Sequence, residues 1–186
     1  MVERQQPTPE QIKAVASPLR LRILRLCNDR EWTNKELAVR LERDPATILH
    51  HLRLLVAAGL LEPVGVRQGE SGAYEKPYRS TGLSWHLSFE AAAEDEEHAG
   101  ERAMLSAFRQ ELAEAGHDSI AELTRFHVHL DDEGVKVFTG RLLDLLEEYR
   151  LGDDARRRAG APGYGGVVVV HRLADTPPAA PPPADP

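Results

Sequence analysis

The stretch DPATILHHLRLLVAAGLLE, Asp44 to Glu62, decides the reading of the fold. Asp44 followed by Pro45 is a helix N-cap with proline at the first helical position, where its missing N–H is no loss. Gly59 suits the left-handed position just past a helix end. Between them, on a wheel of 100° per residue with Ile48 at zero, Leu52 and Leu55 fall within about 40° and make one apolar face. His51 lies at the edge of that face, a place where a histidine is structural more often than functional. Ala46, Leu49, His50 and Arg53 fall on the opposite side, with Thr47 beside them. Small residues near the start of such a face, and little charge repulsion along it, suit entry into the major groove of DNA. Arg53 would then reach a guanine or a phosphate, and His50 a base edge or a phosphate.

The residues on either side support this reading. Ser17-Pro18 opens a helix, LRLRILRLCN, with Leu19, Ile23, Leu26 and Cys27 at helical spacing. Cys27 belongs to that apolar face and reads as an inert core thiol. Thr33-x-x-Glu36 is a capping box for a second helix, whose Leu37, Ala38 and Leu41 face inward. Glu42-Arg43 makes a tight turn into the third helix. After Gly59, Val64 and Val66 alternate, Gly69, Ser71 and Gly72 mark a turn, and Tyr74, Tyr78 and Ser80 resume a strand pattern. Pro77 within that pattern suits an edge strand. Two capped helices joined by a short turn, then a hairpin, make a helix-turn-helix followed by a wing.

Taken together, SPLRLRILRLC, TNKELAVRL, DPATILHHLRLLVAAGLLE and EKPYRSTG resemble the winged helix-turn-helix of the ArsR-like transcriptional regulators of bacteria, over about residues 8–82. The resemblance implies a dimeric repressor or activator whose recognition helix spans residues 44–55 and whose wing, about Arg67 to Arg79, touches flanking backbone or minor groove. The DNA-binding residues expected on this basis are Pro45, Ala46, Thr47, Leu49, His50 and Arg53 on the helix, and Arg67, Lys76, Tyr78 and Arg79 on the wing. Two departures stand out. TNKELAVRL lacks the cysteines that metal-sensing members carry in that helix, and Leu49 replaces a small polar residue.

Beyond the wing, residues 84–115 read as one helix, on the order of 45 Å long. Phe89, Ala93, Gly100, Met104, Phe108 and Leu112 form a stripe at near-fourfold spacing, with Ala103 and Ala107 beside it. A helix this long with a small-residue stripe implies a partner chain, so these eight residues are the expected dimerisation surface. The acidic run Glu94 to Glu97 reads as its solvated face. The stretch 120–174 reads as strand, helix, strand. In TRFHVHL, Phe126, Val128 and Leu130 alternate with Arg125, His127 and His129, and Asp131 or Asp132 caps a helix with Val135, Phe138, Leu142, Leu145 and Tyr149 in a stripe. Val167 to Val170 completes the unit as a strand buried on both faces. The Pro/Ala-rich tail, 175–186, cannot build a core and should be disordered or extended. The expected fold is therefore mainly α with a small β component: a winged helix-turn-helix, a long dimerisation helix and a small C-terminal β-α-β unit.

Charge and composition agree with this division. The net charge is −7 over 186 residues. Residues 1–82 carry 13 Lys and Arg against 10 Asp and Glu, while residues 83–186 carry 10 against 20. A basic half can meet a polyanion although the whole chain is acidic. The single cysteine excludes an intramolecular disulfide or a thiolate cluster within one chain. The polar start MVERQQPTPE lacks a secretory pattern, and no apolar run reaches the ~18 residues a membrane helix needs, which points to the cytoplasm. Three rival readings follow. A histidine-based metal-responsive regulator would use His127 and His129, or Glu94 and His98, but no third and fourth ligand appear at a recognisable spacing. A winged helix used for protein contacts is favoured by the overall acidity. An enzyme has no phosphate-cradling or triad motif behind it. The expectation is a non-enzymatic regulator without metal or cofactor. Its partners are double-stranded DNA, a second copy of itself and an unidentified small-molecule effector at the C-terminal domain.

Overall fold

The computed structural model describes residues 4–69, 72, 74–87 and 99–173. The chain divides into two compact units, one ending at Ala121 and one beginning at Glu122. The first unit contains α1 (Pro9–Val15), α2 (Pro18–Asp29), β1 (Trp32–Thr33), α3 (Asn34–Arg40) and α4 (Pro45–Ala57), then β2 (Leu61–Pro63), β3 (Arg67–Gln68), β4 (Tyr74–Glu75), β5 (Pro77–Ser80) and α5 (Ala99–Ala115).

The helix ends follow from side chains that satisfy otherwise orphaned amides. Thr8 and Gln11 form a capping box at α1, and Thr33 and Glu36 form one at α3. Ser17 occupies the N-cap of α2 without a side-chain capping bond, so Pro18 alone marks that start chemically. Between α3 and α4 the chain reverses at Glu42, whose φ of 53° is left-handed. That turn sets the angle at which α4 leaves α3. α4 ends at Ala58, and Gly59 follows with φ 72°.

Ile48, Leu52 and Leu55 are fully buried, as are Ile23, Cys27, Leu37 and Leu60. Burying one aliphatic side chain of this size is worth about 1.5–3 kcal/mol, so the inner face of α4 is a main anchor of the unit. Burial pushes the Cys27 thiol up to about 12, which makes it the inert core thiol expected.

The wing is built differently from the simple hairpin expected. The three-stranded antiparallel sheet has the order β1-β5-β2, with Glu62 opposite Arg79 and Thr33 opposite Pro77. Pro77 therefore opens a central strand, which a first residue can do because it owes the ladder least. β1, two residues long, carries too little periodicity to be seen in sequence. β3 and β4 form a separate two-stranded ribbon toward the tip of the wing, with Arg67 opposite Glu75.

Helix α5 packs against α1 and α2 of its own subunit. Ala103 and Ala107, expected at a dimer interface, are buried at 4% exposure each within this unit. Four α5 contacts fix the seam: Arg22 ion-pairs with Glu114 and donates to Gln110, Arg25 pairs with Glu111 at 2.8 Å, and Arg40 pairs with Glu114 at 3.0 Å. The small residues do admit a close neighbour, but that neighbour is the subunit itself. The start of the expected 84–115 helix is a 3-10 turn, Leu83–His86. Phe89, Ala93 and Glu94 to Glu97 lie outside the described residues.

The second unit holds α6 (Asp132–Arg150) and α7 (Asp153–Arg158). Asp131 caps α6 by accepting from the Gly134 N–H at 2.7 Å. The expected flanking strands are not present among the described residues: neither 125–130 nor 167–170 is paired into a sheet. Alternating apolar residues specify a face, but a strand also needs a ladder partner. Phe126 instead meets Phe138 of α6 edge-on, with ring centroids 5.6 Å apart. No residue of α6 is buried.

Candidate nucleic-acid interface

The outward face of α4 is present as a surface. Pro45, Ala46, Thr47, His50 and Arg53 are exposed, while Leu49 is half-buried. Leu49 thus lies between the two faces rather than on the outer one. Asp44 shapes the start of the helix. Its carboxylate accepts from the Ala46 N–H at 2.8 Å and the Thr47 N–H at 3.4 Å. Pro45 has no N–H to offer. The helix start therefore has its amides occupied and its partial positive charge offset by a carboxylate, so contact with a duplex falls to the side chains of Thr47, His50 and Arg53.

His51 braces this face from behind. It is half-buried, and its Nδ1 lies 3.5 Å from Nη1 of Arg20. Arg20 also donates to the Ala14 carbonyl at 2.6 Å and to the Lys13 carbonyl at 2.5 Å, tying α4 to the end of α1. Burial, then the Arg20 and His50 charges, hold the His51 pKa below its ordinary value.

The wing residues divide into three kinds. Lys76 is exposed, and among the described residues neither it nor Arg53 has an ion-pair partner. Arg67 and Arg79 are already paired: Arg67 Nη2 meets Glu36 Oε1 at 2.9 Å, and Arg79 Nη2 meets Glu62 Oε1 at 2.8 Å. Tyr78 is half-buried and packs against the core, which suits a structural side chain better than a phosphate contact. The two carboxylate partners were missed in sequence. Glu36 was visible only as a capping residue, and the pairing of Glu62 with Arg79 depends on the strand register.

Among the described residues, no three His, Cys, Asp or Glu side chains gather as a metal site. His127 and His129 are exposed, with ring centroids 4.9 Å apart. Glu94 and His98 lie outside the described residues. Among the described residues no helix is long and apolar enough to cross a membrane.

Residues 15–64, which cover α2 through β2, match the family model of a helix-turn-helix domain. No curated protein matches the chain. Among solved structures, a doubly substituted apo form of Lactococcus lactis ZitR matches with 21% identity, over 74% of this chain and 85% of that one, at a TM-score of 0.30. At that score the likeness carries no argument about fold or function. The matched helix-turn-helix, with the strands β3 to β5 that follow it, has the order of a winged helix-turn-helix. The class that this fold and match define is a DNA-binding transcriptional regulator.

Proposed function

We propose that the protein is a sequence-specific regulator that reads the major groove with α4. The observation that carries this reading is the division of α4 into two faces: Ile48, Leu52 and Leu55 at 0% exposure on one side, and Thr47, His50 and Arg53 open on the other. A helix braced this firmly from behind can hold its outer side chains in a fixed register on a duplex. Thr47 and His50 are the base readers in this proposal. Arg53 and Lys76 are its exposed cations, with Ala46 and Pro45 supplying close approach at the helix start.

Selection of bound duplexes from a random pool tests this directly and supplies the operator. On that operator Arg53→Ala should cost about 1–3 kcal/mol and relax specificity at one position if Arg53 is bidentate to guanine. An even loss across sequences, with a shallower salt slope, would make Arg53 a phosphate contact. Recovery of no enriched sequence, or unchanged affinity in the variant, would overturn the reading.

We further propose a homodimer formed along the side of α5 that its own subunit leaves open. Met104 and Phe108 are half-buried there, and Leu105 and Leu112 remain 37% and 36% exposed. Leu105 and Leu112 lie opposite Ala103 and Ala107 on the helix, with Phe108 turned partly toward that open side and Met104 at the edge of the seam. The pair Leu105→Glu and Leu112→Glu should give a monomer of unchanged melting temperature in sedimentation. A dimer that survives both changes would refute this placement. In a dimer that reads DNA, the two α4 helices would meet half-sites about one helical turn apart, near 34–36 Å.

A further inference from the structure

Both arginines of the wing are held by carboxylates of their own subunit, and one of those carboxylates is built in unusually well. Glu36 Oε2 accepts from the Thr33 N–H at 2.6 Å as half of the α3 capping box. Its other oxygen, Oε1, faces Arg67 at 2.9 Å and Arg30 at 3.8 Å. Arg30 is in turn stacked on Trp32, its guanidinium 3.5 Å from the ring centroid, and Trp32 Nε1 donates to the Leu26 carbonyl. Burial would raise the Glu36 pKa, but the Thr33 bonds and the two arginine charges outweigh it, so the carboxyl titrates below its ordinary range and is charged at neutral pH. The side chain cannot swing away without giving up its cap. Glu62 pairs with Arg79 across the β2–β5 ladder, where the register sets the two side by side.

We propose that Glu36 competes with DNA phosphate for Arg67, with Glu62 doing the same for Arg79, so that the two carboxylates restrain the wing's sequence-independent hold on duplex. The inference rests on the DNA-binding reading above. An exposed ion pair is weak enough for a phosphate to replace it, yet each replacement must first break a formed pair. Duplex of any sequence offers phosphates, so the carboxylates lower affinity for random DNA, where sequence-independent charge contacts are nearly the whole of binding. The α4 face is untouched by this competition. Operator and random duplex lose the same wing contacts, so the carboxylates set affinity for duplex of any sequence and leave base discrimination to α4.

The test uses the full-length protein and a random-sequence duplex, titrated at several salt concentrations. Glu36→Gln preserves the capping geometry, because glutamine serves at that position of a capping box, and removes only the charge. It should tighten random-duplex binding by about 1.5- to 5-fold, the range set by an exposed ion pair. The gain should vanish when Arg67→Ala is already present. A gain that persists without Arg67 would be a general field effect and would overturn the proposal, as would unchanged or weakened binding. Glu62→Gln, read with and without Arg79→Ala, repeats the experiment on an independent pair should Glu36→Gln disturb the fold. If neither the unaltered protein nor either variant binds any duplex, the DNA reading itself fails. If the unaltered protein binds and neither variant gains, only the competition fails.

Discussion

The two units of this chain bury their apolar side chains to very different extents. In the winged helix-turn-helix unit the α4 stripe Ile48, Leu52 and Leu55 is wholly covered. In the second unit the α6 stripe has the same helical spacing, yet Val135, Leu145 and Tyr149 remain 38%, 50% and 66% exposed. Leu130, Val137, Phe138, Leu142 and Leu145 line an open groove edged by Asp131, Glu133, Asp144 and Glu148. The two stripes look alike in sequence. What separates them is supply: α4 finds α2, α3 and a sheet to lean on, whereas among its described residues the second unit offers α6 only short or unpaired neighbours. Amphipathicity states that a face wants cover, and the surrounding topology decides whether one chain can provide it.

The largest effect that would sharpen this contrast is at the centre of the first core. Leu52→Ala should lower the unfolding free energy by about 2–5 kcal/mol, read by denaturant titration of the helical signal. Leu145→Ala is its counterpart in the second unit and should cost less than about 1 kcal/mol, since half the side chain is already wet. Equal losses would break the comparison, because they would require α6 to sit in a core as tight as that of α4.

A smaller effect concerns the seam that ties α5 to the first unit. Glu114→Ala leaves the Arg22 guanidinium, whose side chain is only 9% exposed, without its carboxylate. The loss should be about 1.5–3 kcal/mol in the same titration. A neutral result would show that the Arg22 and Arg40 pairs with Glu114 add nothing to the docking of the helix. Smaller still is the cap of the reading helix: Asp44→Ala should cost about 1 kcal/mol, and it should strengthen phosphate contact near Ala46 by freeing two amides. Its melting curve and its DNA affinity should therefore move in opposite directions.

The smallest effect is a pH dependence. The folded-state pKa of His51 lies below its ordinary value of 6.5, so just below pH 6.5 the unfolded chain takes up a proton that the folded one refuses. Stability from this group is present above that pH and is lost as pH falls toward the folded pKa. His51→Gln should flatten the acid side of a stability-versus-pH curve just below pH 6.5. An unaltered curve would remove His51 from the brace behind α4.

The sequence by itself determined α2, α3 and α4 of the first unit and which way α4 faces. Caps, a proline at the first helical position and 3.6-residue periodicity are local signals, and each is enforced by atoms within about one turn of chain. Asp44, the Thr33–Glu36 box, Gly59 and the buried trio of α4 were legible for that reason. Tertiary structure alone decided who covers each face. It turned Ala103 and Ala107 inward onto α1 and α2, placed Pro77 at the head of a central strand, left 125–130 and 167–170 without a ladder, and matched Arg67 with Glu36. All of these depend on residues distant in sequence meeting in space, and a pattern confined to one segment carries no record of its partner.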